Sequence, residues 1–113
     1  MAELAACLFF SEMRYDAADP ENWGTDEFVL SNAHAAPILW AALAEAGIIA
    51  PDQLPSLRLI SSELEGHPTP RMKWIKAATG SLGQGLSVGV GLALGQRLGR
   101  SPGRTFVVMG DGE

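Results

Sequence analysis

Arg104-Thr-Phe-Val-Val-Met-Gly-Asp-Gly-Glu113 is the stretch on which the fold turns. Thr105 to Met109 is an unbroken apolar run, rich in β-branched and aromatic side chains and without polar alternation. That pattern predicts a strand buried on both faces, as in a parallel sheet between helices, and therefore an α/β fold. Gly110-Asp-Gly112 follows as a turn, with a carboxylate just past the carboxyl end of the strand, where open α/β sheets take their ligands. A hard cation carrying a diphosphate suits such a carboxylate, and the flanking glycines let a ligand come close. A Gly-Asp-Gly by itself reads first as a polar β-turn. The rest of the chain decides between the two.

The chain has 113 residues, 47% of them hydrophobic, which is enough for one small packed domain. A net charge of −5 and the absence of a dense basic patch disfavour nucleic acid or an anionic membrane as partners. Cys7 is the single cysteine, so no internal disulfide forms, and its apolar helical surroundings predict a small core residue. The opening residues carry Glu3 and Glu12 and lack a basic start, and no apolar run reaches the length of a membrane span. A cytoplasmic protein is the expectation.

Outward from the final strand, Ala2 to Tyr15 reads as a helix and Asp16 to Asp26 as a turn-rich loop. A second helix is expected near Ala36 to Ala46, capped by Ser31 or Asn32, with Pro37 in its first turn and Gly47 as its stop. Pro51 to Leu54 can begin a short helix, and Glu65 to Pro70 is loop again. The candidate helix opening at Ala77 and running to Leu98 carries glycines at 83, 85, 89, 91 and 95, beside an apolar stripe of Leu86, Val90, Leu94 and Leu98. Each interior glycine costs up to about 1 kcal/mol against alanine, so close packing of backbones is expected there. Phe28–Leu30 and Leu57–Ile60 look strand-like but too short to supply a sheet. The chain is therefore expected to be part of a domain, with an incomplete sheet.

Four pieces line up in order: Ser31-Asn-Ala-His34, Glu65-Gly-His-Pro68, Thr79-Gly-Ser-Leu-Gly-Gln-Gly85 and Gly110-Asp-Gly112. With Phe9-Phe-Ser-Glu-Met-Arg-Tyr15, Phe28-Val-Leu-Ser31, His34-Ala-Ala-Pro37 and Ile60-Ser-Ser62, they resemble the amino-terminal domain of the transketolase family across nearly the whole chain. The resemblance implies thiamine diphosphate with Mg²⁺ (or Ca²⁺ or Mn²⁺) as cofactors. It implies transfer of a two-carbon ketol unit between sugar phosphates, in a homodimer. Asp111 is implied as the cation ligand, with Gly110 and Gly112 beside the diphosphate and Gly80, Ser81 and Leu82 around the aminopyrimidine. His34 is implied to line the cofactor and donor-sugar pocket, and His67 to hydrogen-bond the donor ketose near its reacting carbons.

Ala33 stands where the family usually has glycine, and a need for positive φ there would strain the turn before His34. The family's first histidine motif, the asparagine that completes the cation site and the glutamate that activates the aminopyrimidine are not among these residues. The chain is thus expected to carry part of a site, with too few groups for catalysis alone. Dihydroxyacetone synthase, another thiamine-diphosphate enzyme, and a non-catalytic assembly module are the alternative readings.

Overall fold

A computed structural model describes residues 1–113. At its centre lie two parallel strands, β1 (Glu27–Leu30) and β2 (Thr105–Val108), paired in the register Glu27 with Thr105 through Leu30 with Val108. Backbone bonds from Glu27 N–H to Arg104 C=O and from Ser31 N–H to Val108 C=O, each 2.8 Å, extend the ladder at both ends. Phe28–Leu30 is thus a true partner for the final strand, where the sequence had suggested a piece too short to supply a sheet. β1 is also the better-buried strand: Glu27, Val29 and Leu30 are enclosed, whereas β2 is half-buried until Val108 and Met109 is exposed. Each strand has one paired edge in this two-stranded sheet, so β2 is not enclosed in the way its apolar run predicted.

Side-chain alternation sends the two faces of the pair to different helices. Leu30 and Val108 enter the core cluster with Phe9, and with Leu39, Trp40 and Leu43 of α2 (Ala36–Glu45), while Phe28 packs against it. Trp40 and Leu43 are each about 1% exposed, so α2 anchors this core. Pro37 lies in its first turn as expected, although no side chain caps the helix. α1 (Ala2–Cys7) lies against α2 and widens into a π-helical turn over Leu8–Glu12. It stops at Met13 rather than Tyr15, because the Arg14 backbone pairs with Asp26 instead: Asp26 N–H donates to Arg14 C=O at 2.8 Å, and Arg14 N–H to the Asp26 carboxylate at 3.0 Å. Cys7 is exposed on α1 and is not a core residue.

α3 (Gln84–Leu98) covers the opposite face of the sheet. It begins later than the glycine-rich pattern suggested, because Gly80 and Gly83 take positive φ and keep Ala77–Gly83 out of the helix. Its packed face is the glycine face. A Cβ on Gly85 would lie 2.4 Å from Ser31 Cβ, and one on Gly89 would lie 2.2 Å from Val107 Cγ2. Only missing side chains let the helix come this close. The expected close packing is therefore met by the chain's own sheet at Gly85 and Gly89, and not at Gly91, where nothing lies near a Cβ. Leu86, Val90, Leu94 and Leu98 point away from it and are exposed. Pro51–Ser56 forms a 3₁₀ helix, and Leu57–Ile60 is a turn rather than a strand, with Arg58 at φ +66°.

Candidate functional site

The carboxyl ends of β1 and β2 and the amino end of α3 meet on one side of the sheet. Immediately after β1, the chain makes a 3₁₀ turn over Ala33–Ala35 that carries His34. Ala33 is fully buried there, and the non-glycine residues with positive φ are Arg58 and Arg100. The methyl that replaces the usual glycine is therefore accommodated without the expected strain.

His67 arrives on the Glu65–Pro70 loop, immediately before Pro68. Its position is fixed from its neighbour Glu65, whose carbonyl accepts from buried Trp40 Nε1–H at 3.0 Å. The Glu65 carboxylate takes the Thr69 hydroxyl and, at 3.1 Å, Arg71 Nη1, so the loop is clasped across Pro68. The Thr69 hydrogen bond, with a further contribution from Arg71, holds the Glu65 carboxyl below its ordinary range despite the opposing effect of partial burial. This loop and the His34 turn bring the two imidazoles together edge to face, with centroids 5.0 Å apart and ring planes at 74°.

Gly80 closes the same corner. Thr79 is buried and donates its hydroxyl to Leu30 C=O, pinning this segment to the end of β1. A Cβ on Gly80 would come within 2.9 Å of His67 Cδ2 and 3.9 Å of Ala33 Cβ, and φ at Gly80 is +149°. Both the backbone and the space favour glycine. Ser81 and Leu82 follow on the exposed surface.

Past β2, Gly110, Asp111 and Gly112 form the turn, with Asp111 exposed and its carboxylate engaged by no hydrogen bond or ion pair within the chain. Nothing would meet a Cβ on Gly112. Glu113, which sequence reasoning did not single out, folds back into the site. Its two carboxylate oxygens accept from Ser31 Oγ–H at 3.1 Å and from Gly110 N–H at 3.0 Å. Ser31 Oγ in turn accepts from Gly85 N–H at 3.1 Å. A hydroxyl at a strand end followed by a glycine-rich helix start was the available signal, but the pairing spans the chain.

The sequence of the transketolase thiamine diphosphate-binding domain family matches residues 1–112. The chain belongs to that family. It is 50% identical to human transketolase over 113 residues, covering 99% of this chain and 18% of the human protein. Transketolase from Leishmania mexicana superposes with a TM-score of 0.89 at 34% identity, covering 99% of this chain and 18% of that one. Transketolase of Pichia stipitis, solved in complex with sedoheptulose 7-phosphate, gives 0.86 at 34% identity, over 96% and 18% of the two chains. The chain therefore spans about a fifth of the length of these transketolases. The family match spans the Ser31–His34, Glu65–Pro68, Thr79–Gly85 and Gly110–Gly112 segments.

The residues present fit part of a cation and diphosphate site. An exposed carboxylate, open space over Gly112 and a helix amino end one hydroxyl away suit a hard cation and an anionic group. They do not complete one: no group of three or more His, Cys, Asp or Glu residues gathers to hold a metal. None of the chain's four cavities is lined by His34, His67 or Asp111, so these groups stand on an open face. No helix is long and apolar enough to cross a membrane.

Proposed function

We propose that these residues form part of the amino-terminal domain of a thiamine-diphosphate-dependent transketolase. In this reading the enzyme moves a two-carbon ketol unit from a ketose phosphate to an aldose phosphate, as a cytoplasmic homodimer. The observation that carries the proposal is the convergence of His34, His67 and Gly80 at the carboxyl side of a parallel strand pair whose final turn presents Asp111. The sugar phosphate bound by the Pichia stipitis relative supports the substrate class.

The thiazolium of thiamine diphosphate supplies the covalent chemistry when bound. The residues of this chain bind and orient. Asp111 would hold Mg²⁺ (or Ca²⁺ or Mn²⁺), with Gly110 and Gly112 leaving room for the diphosphate. Gly80, Ser81 and Leu82 would flank the aminopyrimidine. His67, and His34 against it, would donate to or accept from the donor sugar's hydroxyls, since imidazole gives or takes a proton near neutral pH. The groups absent from this segment would come from the rest of the protein, so the 113 residues alone are expected to be inactive.

Asp111 and His67 should fail differently in a full-length enzyme carrying this segment. Asp111→Ala should weaken Mg²⁺-dependent cofactor binding. His67→Ala should leave cofactor affinity nearly intact and lower ketose turnover by about 10²–10⁴-fold if it moves a proton. Calorimetric titration beside steady-state kinetics separates the two. Normal cofactor binding by Asp111→Ala, or parental turnover by His67→Ala, removes the corresponding role.

A further inference from the structure

The chain holds a second carboxylate beside Asp111, and it is placed for a different task. Glu113 is two residues further on, yet its oxygens turn inward: Oε1 accepts from Ser31 Oγ–H and Oε2 from Gly110 N–H. Ser31 is fully buried and spends its hydroxyl proton on Glu113 while accepting the Gly85 N–H at the start of α3. One chain of hydrogen bonds thus joins the end of β1, the first turn of α3 and the turn after β2. Gly85 is required for it, because a Cβ there would lie 2.5 Å from Ser31 Oγ.

We propose that Ser31 and Glu113 are positioning residues that brace the Gly110-Asp111-Gly112 turn, so that Asp111 is presented outward. With both its oxygens committed, Glu113 acts as a strut. Its pull on Gly110 N–H sets the turn's first peptide, and Ser31 fixes that turn relative to the amino end of α3. A carboxylate ligand and a helix amino end held at a set separation suit a cation and the diphosphate it carries. The inference deepens the cofactor-binding reading given above and rests on it for the identity of the ligand.

Gly110 amide exchange, followed by hydrogen–deuterium exchange in the full-length enzyme without cofactor, tests the brace without any ligand. Glu113→Ala should speed Gly110 exchange by about tenfold or more, the usual scale for losing a hydrogen bond to a charged group. Glu113→Gln should restore most of the protection, because a carboxamide can still accept from Gly110 and donate to Ser31. Thermal unfolding should move little between these variants. In the full-length enzyme, Ser31→Ala and Glu113→Ala should each lower Mg²⁺–thiamine diphosphate affinity about tenfold, with Glu113→Gln near the parent. Parental Gly110 exchange in Glu113→Ala overturns the brace. Faster exchange with unchanged cofactor affinity overturns its positioning role. A parent enzyme that binds no thiamine diphosphate refutes the cofactor reading instead, and the Gly110 exchange rate still decides the brace.

Discussion

The two ends of the strand pair are built in opposite ways. At the amino end, the Asp26 carboxylate is completely enclosed and every approach to it is filled. It accepts from Arg14 N–H at 3.0 Å, from Arg104 N–H at 2.8 Å, and from Arg104 Nε and Nη2 at 3.2 and 2.8 Å. At the carboxyl end, Asp111 is exposed and unpartnered, and two imidazoles face each other on an open surface. The same side-chain type thus serves as a rivet where its acceptors are satisfied, and is available as a ligand where they are not. The carboxylate that is riveted and the carboxylate that is free sit at opposite ends of one strand pair.

The largest expected effect lies at the riveted end. Asp26→Ala leaves Arg104 and two backbone N–H groups without their acceptor. Losing one partner of a buried pair costs about 3–5 kcal/mol, and the half-exposed Arg104 side chain places this case near about 3 kcal/mol. Urea unfolding measures it, and a loss below about 1 kcal/mol would erase the contrast between the ends. The same pair sets an acid limit. Burial works to raise the Asp26 carboxyl, but the Arg104 side chain and the two backbone donors outweigh it and hold the group below its ordinary range. A carboxyl depressed in the folded state stabilises above its unfolded pKa of about 3.9. That stability should be lost as pH falls below about 4, and Asp26→Asn should show a shallower loss over the same range.

Next in size is the face of α3 against the sheet. Gly89→Leu places a side chain where even a Cβ would be 2.2 Å from Val107 Cγ2. Overpacking of this kind costs about 1–3 kcal/mol. The matched change on the other face, Leu94→Gln, should stay within about 0.5 kcal/mol because Leu94 is exposed in this chain. Equal effects on thermal unfolding would mean that the two faces have been assigned the wrong way round.

The sequence carried the strand at Thr105–Val108, helix α2, and the turn that presents Asp111, because each is marked by local composition and by glycine or proline at its ends. It also placed His34 and His67 in one ordered set of motifs. It did not carry which face of α3 meets the sheet. A stripe of Leu86, Val90, Leu94 and Leu98 says where apolar side chains lie, but close approach of backbones favours the face that lacks them. Phe28–Leu30 looked strand-like but too short to supply a sheet, since its stability comes from pairing with residues far along the chain. Glu113 escaped notice for the same reason: its partner Ser31 is remote in sequence, and a lone side-chain carboxylate after a turn has no local signature.

Calorimetric titration of thiamine diphosphate into the full-length enzyme, in Mg²⁺ and again in a chelator, with Asp111→Ala measured beside the parent, tests the central claim most directly. Asp111 is exposed and unpartnered, so its replacement should change unfolding stability by no more than about 0.5 kcal/mol. The account predicts tight, Mg²⁺-dependent binding by the parent and loss of that dependence in a stably folded Asp111→Ala. Equal affinity in the two proteins, with the same response to Mg²⁺, would contradict it.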